Sequence, residues 1–213
     1  MKKRILCFGD SNTWGYMPTG GRYDEDTRWP MRMQRLLGAD YTVIEEGLNG
    51  RTCVFDDPVE GGYKSGAAYL PVCLMSHSPL DALVIMLGSN DTKMRFNMNA
   101  KTIGEGIMQL VRLARLYGFN AEGNPPRILI VAPAPFTESM ERAGHAQCFG
   151  PNARQITMEL AREYARLGKL LRCDFFDAAG IARVSPIDGV HLTRDGHLQL
   201  AAALAEKLRD MLG

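Results

Sequence analysis

Arg4-Ile5-Leu6-Cys7-Phe8-Gly9-Asp10-Ser11 decides the reading of this chain. An apolar run of strand length ends in a glycine, an aspartate and a serine. Continuous apolar character, rather than alternation, marks a strand buried on both faces, as in a parallel sheet covered by helices. Further runs of this kind follow at Tyr41 to Glu45, Ala82 to Leu87, Arg127 to Ala132 and Asp174 to Phe176.

Helical patterns separate these runs. They are clearest at Thr102 to Tyr117, where Ile103, Ile107, Leu110, Val111 and Ala114 share one face and Gly118 is placed to cap the end. The second clear pattern is Thr193 to Leu212, with Thr193 as the N-cap and Leu198, Ala201, Ala202, Leu204, Ala205 and Leu208 as its buried stripe. Weaker patterns cover Pro30 to Leu37, Gly66 to Met75 and Ala153 to Leu167. The alternation predicts an α/β fold: a flavodoxin-like three-layer sandwich of about five parallel strands with helices on both faces. No repeat, linker or low-complexity tract interrupts the 213 residues, so 1–213 reads as a single domain.

Sheets of this type bind ligands beyond the carboxyl ends of their strands. Ser11 follows the first strand, Gly88-Ser89-Asn90-Asp91 the third, and Asp188-Gly189-Val190-His191 lies after the last. The topology therefore brings a serine, an amide, a carboxylate and an imidazole to one sheet edge. A serine hydroxyl attacks poorly without a base, and an imidazole needs a carboxylate to fix its tautomer. Asp188 lies three residues before His191, a spacing that lets the carboxylate fold back onto the ring. Among four histidines, His77, His145 and His197 lack such a spacing and are expected on the surface or in the core. The expected catalytic residues are Ser11, Asp188 and His191. Oxyanion donors are expected from the backbone of Ser11 and Gly50 and from the side chain of Asn90. Asn12, Trp14, Tyr16, Lys93 and Phe136 are expected to line the substrate pocket. The segments Met17 to Trp29, Asp56 to Ser65 and Phe136 to Pro151 are expected to wall it.

Other chemistries find no support. Thr13, not glycine, stands two residues after Ser11, so the α/β-hydrolase elbow is absent. Gly104-Glu105-Gly106 lacks the third glycine of a dinucleotide site, and there is no phosphate-loop motif. Five scattered cysteines contain no CxxC pair, so no zinc or redox motif is read, and neither a metal nor a cofactor is expected. A net charge of +1 gives no footprint for nucleic acid or a membrane surface, and no apolar run is long enough to span a bilayer. The apolar segment after Met1-Lys2-Lys3-Arg4 stops at Gly9, too short for a secretory signal, so a cytoplasmic location is expected.

With these residues in order, the chain resembles the SGNH (GDSL-type) hydrolases. Gly9-Asp10-Ser11, Gly50, Gly88-Ser89-Asn90-Asp91 and Asp188-Gly189-Val190-His191 match the four blocks that name that family. Arg4 to Ser11 with Thr13-Trp14-Gly15, Val43 to Leu48, Ser65 to Pro71 and Ile85 to Lys93 are similar to its bacterial arylesterase and acyltransferase branch. The resemblance implies hydrolysis of short-chain aryl or acetyl esters through an acyl-enzyme, with transfer to alcohols or peroxide as a side activity. Asn12 and Tyr16 depart from the branch, which has leucine and tryptophan there, and both are expected near the acyl group. The rival readings are a sugar O-acetyl esterase, a lysophospholipase or thioesterase on the same triad, and a non-catalytic ligand-binding domain. The partner expected is a small-molecule ester. Met94, Phe96 and Met98 point to a homo-oligomer interface, since they would otherwise sit exposed.

Overall fold

The apolar runs become the strands of one sheet, and their pleat explains why they do not alternate. The computed structural model describes residues 2–213. Its strands are β1 (Lys3–Gly9), β2 (Tyr41–Gly47), β3 (Ala82–Met86), β4 (Arg127–Ala132) and β5 (Asp174–Asp177). All neighbours are parallel, in the order β2-β1-β3-β4-β5. The helices are α1 (Ser11–Trp14), α2 (Trp29–Leu37), α3 (Gly66–His77), α4 (Ala100–Tyr117), α5 (Ser139–Arg142), α6 (Ala146–Phe149), α7 (Ala153–Leu171) and α8 (Arg194–Leu212).

Successive strand side chains point to opposite faces, and here each face has its own core. Leu6, Phe8, Leu83, Ile85, Ile128 and Ile130 pack against Leu70 and Leu74 of α3, Ile103 and Ile107 of α4, and Leu160 and Tyr164 of α7. Ile5, Cys7, Val84, Met86, Leu129 and Val131 pack against Trp29 and Met33 of α2 and Leu200 and Leu204 of α8. Both faces are dry from Ile5 to Phe8, from Ala82 to Met86 and from Ile128 to Ala132, so the central strands are apolar along these stretches. Edge strand β2 departs from this. Its Glu45 meets Arg28 across the sheet end, with Oε1 2.6 Å from Nη2.

The helix boundaries differ from the sequence reading at their ends. Helix α4 begins two residues earlier than expected, because Asn99 and Thr102 form a reciprocal capping box. Helix α7 runs on to Leu171, through Gly168, and stops at Arg172 in a left-handed conformation. Thr193 caps α8 as expected, its Oγ1 accepting from the Gly196 N–H at 2.9 Å. Met98 packs against the first core, whereas Met94 is exposed. No helix among the described residues is long and apolar enough to cross a membrane.

Candidate active site

The carboxyl ends of β1 and β3 and the loop before α8 converge on a cavity of about 360 Å³. Ser11 is the first residue of the one-turn helix α1, and Asp10 caps that helix by accepting from the Asn12 N–H at 2.9 Å. The turn leaves the Ser11 side chain facing the cavity, where Oγ lies 3.1 Å from His191 Nε2. His191 Nδ1 lies 2.7 Å from Asp188 Oδ2. The other oxygen of Asp188 accepts from the backbone N–H groups of Val190 and His191, each at 3.0 Å. Burial pushes the Asp188 carboxyl up, but the imidazole and the two N–H donors outweigh it and hold the group below its ordinary range. Asp188 is therefore a carboxylate at neutral pH, and it favours a proton on the facing ring nitrogen.

The acid–base loop closes on itself. Ser185 N–H donates to His191 O at 2.8 Å, and Gly189 N–H donates to Ser185 O at 2.9 Å. Gly189 has φ +70°, and a Cβ there would stand 2.1 Å from the Met140 nitrogen. Only glycine lets the segment of α5 lie this close. Thr137 N–H also donates to Gly189 O at 3.0 Å, so the wall from Phe136 onward is seated on the loop that carries His191.

Asn12 lines the cavity as expected and has a second task. Its amide donates to Val190 O at 3.4 Å and its oxygen accepts from Leu192 N–H at 2.9 Å. It fastens the serine turn to the histidine loop. Tyr16 also lines the cavity, its ring 4.5 Å from the His191 ring. Trp14 and Phe136 do not. Trp14 lies on the far side of α1 beneath the Arg22 guanidinium, 4.9 Å from its ring centre. Phe136 is buried in a small apolar cluster with Met140, Phe149 and Val190, and of these Phe149 and Val190 reach the cavity. Proximity in sequence to Ser11 misplaced the first, whose ring packs instead beside Tyr16, with ring centres 6.3 Å apart, and under Arg22.

Three donors face the same space. The backbone N–H groups of Ser11 and Gly50 meet no acceptor among the described residues. Gly50 has φ +79°, a backbone conformation that favours glycine, and a Cβ there would displace the Glu60 carboxylate, 2.6 Å away. The Asn90 amide uses one proton on Arg51 O, at 3.2 Å, and keeps the other. Asp91 clamps the same loop, both its oxygens accepting from the Cys53 N–H at 2.9 and 3.1 Å. Burial raises Asp10 and Asp91 to about 6 each.

Lys93 lines the cavity yet is only 2 % exposed. Its Nζ lies 3.1 Å from Asp57 Oδ2 and 2.7 Å from Glu60 Oε1. Arg95 completes the group, with Nε 3.0 Å from Asp57 Oδ1 and Nη2 3.0 Å from Glu60 Oε1. Burial pushes the Glu60 carboxyl up, but Lys93 and Arg95 bring it below its ordinary range. Sequence reading flagged the segment from Asp56 to Ser65 as a wall without singling out Asp57 or Glu60. Nothing in a 36-residue gap from Asp57 to Lys93 marks them as partners. Cys148 and Phe149 close the opposite side, and the segment from Phe136 to Pro151 was flagged likewise. His197 is a core histidine, its Nδ1 accepting from the Trp29 N–H at 3.4 Å, and burial lowers it to about 3.

A family model described as GDSL-like lipase/acylhydrolase matches residues 7–199 of the chain. A carbohydrate acetylesterase family member from Sinorhizobium meliloti is 42 % identical, with TM-score 0.93 and 99 % of each chain covered. The native aryl esterase of M. smegmatis is 39 % identical, with TM-score 0.91, covering 99 % of this chain and 100 % of that one. A second carbohydrate acetylesterase from S. meliloti is 35 % identical, with TM-score 0.92 and the same coverage. No curated protein matches the sequence. The parallel five-stranded sheet, its flanking helices and a family match across most of the chain lead to one conclusion: this chain belongs to the GDSL-like lipase/acylhydrolase family, the SGNH hydrolases.

Proposed function

We propose that the chain is a serine esterase acting on short-chain aryl or acetyl esters through an acyl-enzyme. The observation that carries this reading is the unbroken path Ser11 Oγ–His191 Nε2–His191 Nδ1–Asp188 Oδ2, at 3.1 and 2.7 Å, facing the unused donors of Ser11, Gly50 and Asn90. In the reaction Ser11 Oγ attacks the ester carbonyl carbon while His191 Nε2 takes its proton. The carbonyl oxygen gathers negative charge and is met by the N–H groups of Ser11 and Gly50 and the amide of Asn90. The tetrahedral intermediate collapses, His191 returns the proton to the leaving oxygen, and the acyl group remains on Ser11. Water then attacks the acyl carbon while His191 Nε2 takes its proton. The second tetrahedral intermediate expels Ser11 Oγ, which regains that proton from His191, and the acid departs. An alcohol or peroxide in place of water gives acyl transfer.

The cavity is at the small end of ligand sites, at about 360 Å³, and Tyr16, Phe149 and Lys93 close it. A short acyl group fits this volume better than a lipid chain. A sugar acetate is a second reading, favoured by the polar rim of Asn49, Glu60 and Lys93 and by the acetylesterase relatives. Copies of the chain pair through the exposed apolar side chains Phe55, Val59 and Met94 beside this rim, making a homo-oligomer in a cytoplasmic setting. A monomeric mass in light scattering would remove that part of the proposal.

Hydrolysis of p-nitrophenyl esters from acetate to octanoate tests the core of the reading. Wild type turns over acetate fastest, and Ser11→Ala loses at least about 10⁴-fold in kcat. Activity that survives in Ser11→Ala would dismiss the nucleophile. An acetylated sugar preferred over the aryl ester would select the second reading.

A further inference from the structure

Behind the active-site edge, on the face of the sheet covered by α3, three side chains of different chemistry meet. Cys73 and His77 stand four residues apart on α3 and so share one face of that helix. Glu46 reaches them from the end of β2, and its Oε1 lies 2.9 Å from His77 Nε2. One carboxylate oxygen, the Cys73 sulfur and one imidazole nitrogen all fall within 4.8 Å of one another. Sequence reading placed His77 without a partner; the fold brings one from 31 residues away.

We propose that Glu46, Cys73 and His77 bind a thiophilic divalent cation of the zinc class, with water completing the coordination. Zinc bonds of about 2.0 to 2.3 Å to nitrogen, oxygen and sulfur put tetrahedral ligand atoms roughly 3.3 to 3.8 Å apart. The three atoms reach that spacing by closing about 1 Å at the widest pair, within the reach of side-chain rotation at the half-exposed His77. A thiolate, an imidazole and a carboxylate suit zinc, whereas magnesium and calcium take oxygen ligands alone. On binding, the Cys73 sulfur exchanges its proton, released to solvent, for the metal.

Groups around the three support the arrangement. The Tyr69 hydroxyl donates to Glu46 Oε2 at 3.3 Å, and the Arg4 guanidinium donates to His77 O at 3.1 Å, which fixes the end of α3. Glu46 and Tyr69 also border an open cavity of about 510 Å³, so a hydrated ion can arrive and a water ligand can remain. Arg51 is the nearby cation. Its Nη1 is taken by the carbonyls of Gly9 and Glu46 and its plane lies over the Phe8 and Tyr69 rings, and it makes no ion pair with the Glu46 carboxylate among the described residues. The three ligands lie outside the serine and histidine machinery, so the site stands apart from the esterase reading. A bound ion would clasp β2 to α3 at the two ends of the stretch that carries Gly50, Asp57 and Glu60.

Titration of the full chain with cobalt(II), followed by absorption, reads the site directly. One cobalt per chain with a thiolate-to-cobalt charge-transfer band, abolished by zinc, is the expected result. Cys73→Ser loses the band, His77→Gln weakens binding at least about 100-fold, and Tyr69→Phe weakens it about 10-fold. Cys173→Ser, which alters a half-buried thiol elsewhere, keeps the band. Zinc raises the Tm of wild type in proportion to the logarithm of its concentration and leaves that of His77→Gln unchanged. No band at excess cobalt, or a band that persists in Cys73→Ser, would overturn the proposal. Should Cys73→Ser fail to fold, an equal zinc-induced Tm shift in wild type and His77→Gln would overturn it as well.

Discussion

The floor of the cavity and its rim are held together by opposite means. On the floor, Ser11, Asn12, Asn90 and the loop of Asp188 to His191 are fixed by hydrogen bonds to backbone groups. At the rim, Lys93 and Arg95 face Asp57 and Glu60, two positive charges against two negative ones, with Lys93 and Asp57 shut off from water. Backbone hydrogen bonds fix position to within tenths of an ångström and are indifferent to salt. A buried ion group instead depends on every member, since removing one leaves another charge without water or partner. Under the proposed mechanism the two regions do distinct work: the floor sets reaction geometry, and the rim holds the entrance.

Breaking the floor has the larger effect on rate. Asp188→Asn keeps the shape but offers an amide to His191 Nδ1 and favours the wrong tautomer, so kcat falls by about 10⁴-fold with KM little changed. Steady-state kinetics check this, and a loss below about 10-fold would place the orienting role elsewhere. Asn90→Ala removes one oxyanion donor and costs about 10² to 10³ in kcat. A variant with normal kcat and raised KM would show that Asn90 binds substrate without favouring the transition state.

Breaking the rim acts on stability first. Lys93→Met leaves Asp57 buried with Arg95 as its remaining cation, and urea unfolding should show a loss of about 3 to 4 kcal/mol. An unchanged midpoint would mean that the ion group is fully offset by its desolvation, and the contrast with the floor would collapse. Asp10 sharpens the comparison with a smaller effect of opposite sign. Burial holds its folded-state pKa at about 6, above the ordinary 3.8. The folded protein therefore keeps a proton that the unfolded chain releases, and stability falls as pH rises from about 4 to 6. Asp10→Asn cannot ionise and still accepts from the Asn12 N–H. It should exceed wild type by about 2 to 3 kcal/mol above pH 6 and match it near pH 4. Equal stabilities across that range would show that Asp10 titrates like an exposed carboxyl.

The sheet was readable because burial on both faces leaves an unmistakable mark: β1 past Arg4, β3, and β4 past Arg127 are buried and carry no polar side chain. The floor was readable because its groups sit at strand ends or three residues apart, as with Asp188 and His191. The rim was not. Lys93 depends on Asp57 and Glu60, which reach it from a segment with no periodic signal, and its burial follows from those ion pairs, against its usual preference. The second task of Asn12 was hidden for a related reason. This residue type suits a substrate contact and a loop fastener equally, and only the position of Val190 and Leu192, 178 and 180 residues later, reveals the second.

The contact between Gly189 and Met140 makes the doorway and the proton carrier one mechanical piece. The segment from Thr137 to Phe149 rests on the same peptide that holds His191 against Ser11, joined by the Thr137 bond and by the shared packing of Met140 and Val190. The position of the wall and the position of the imidazole are therefore set by one shared set of contacts.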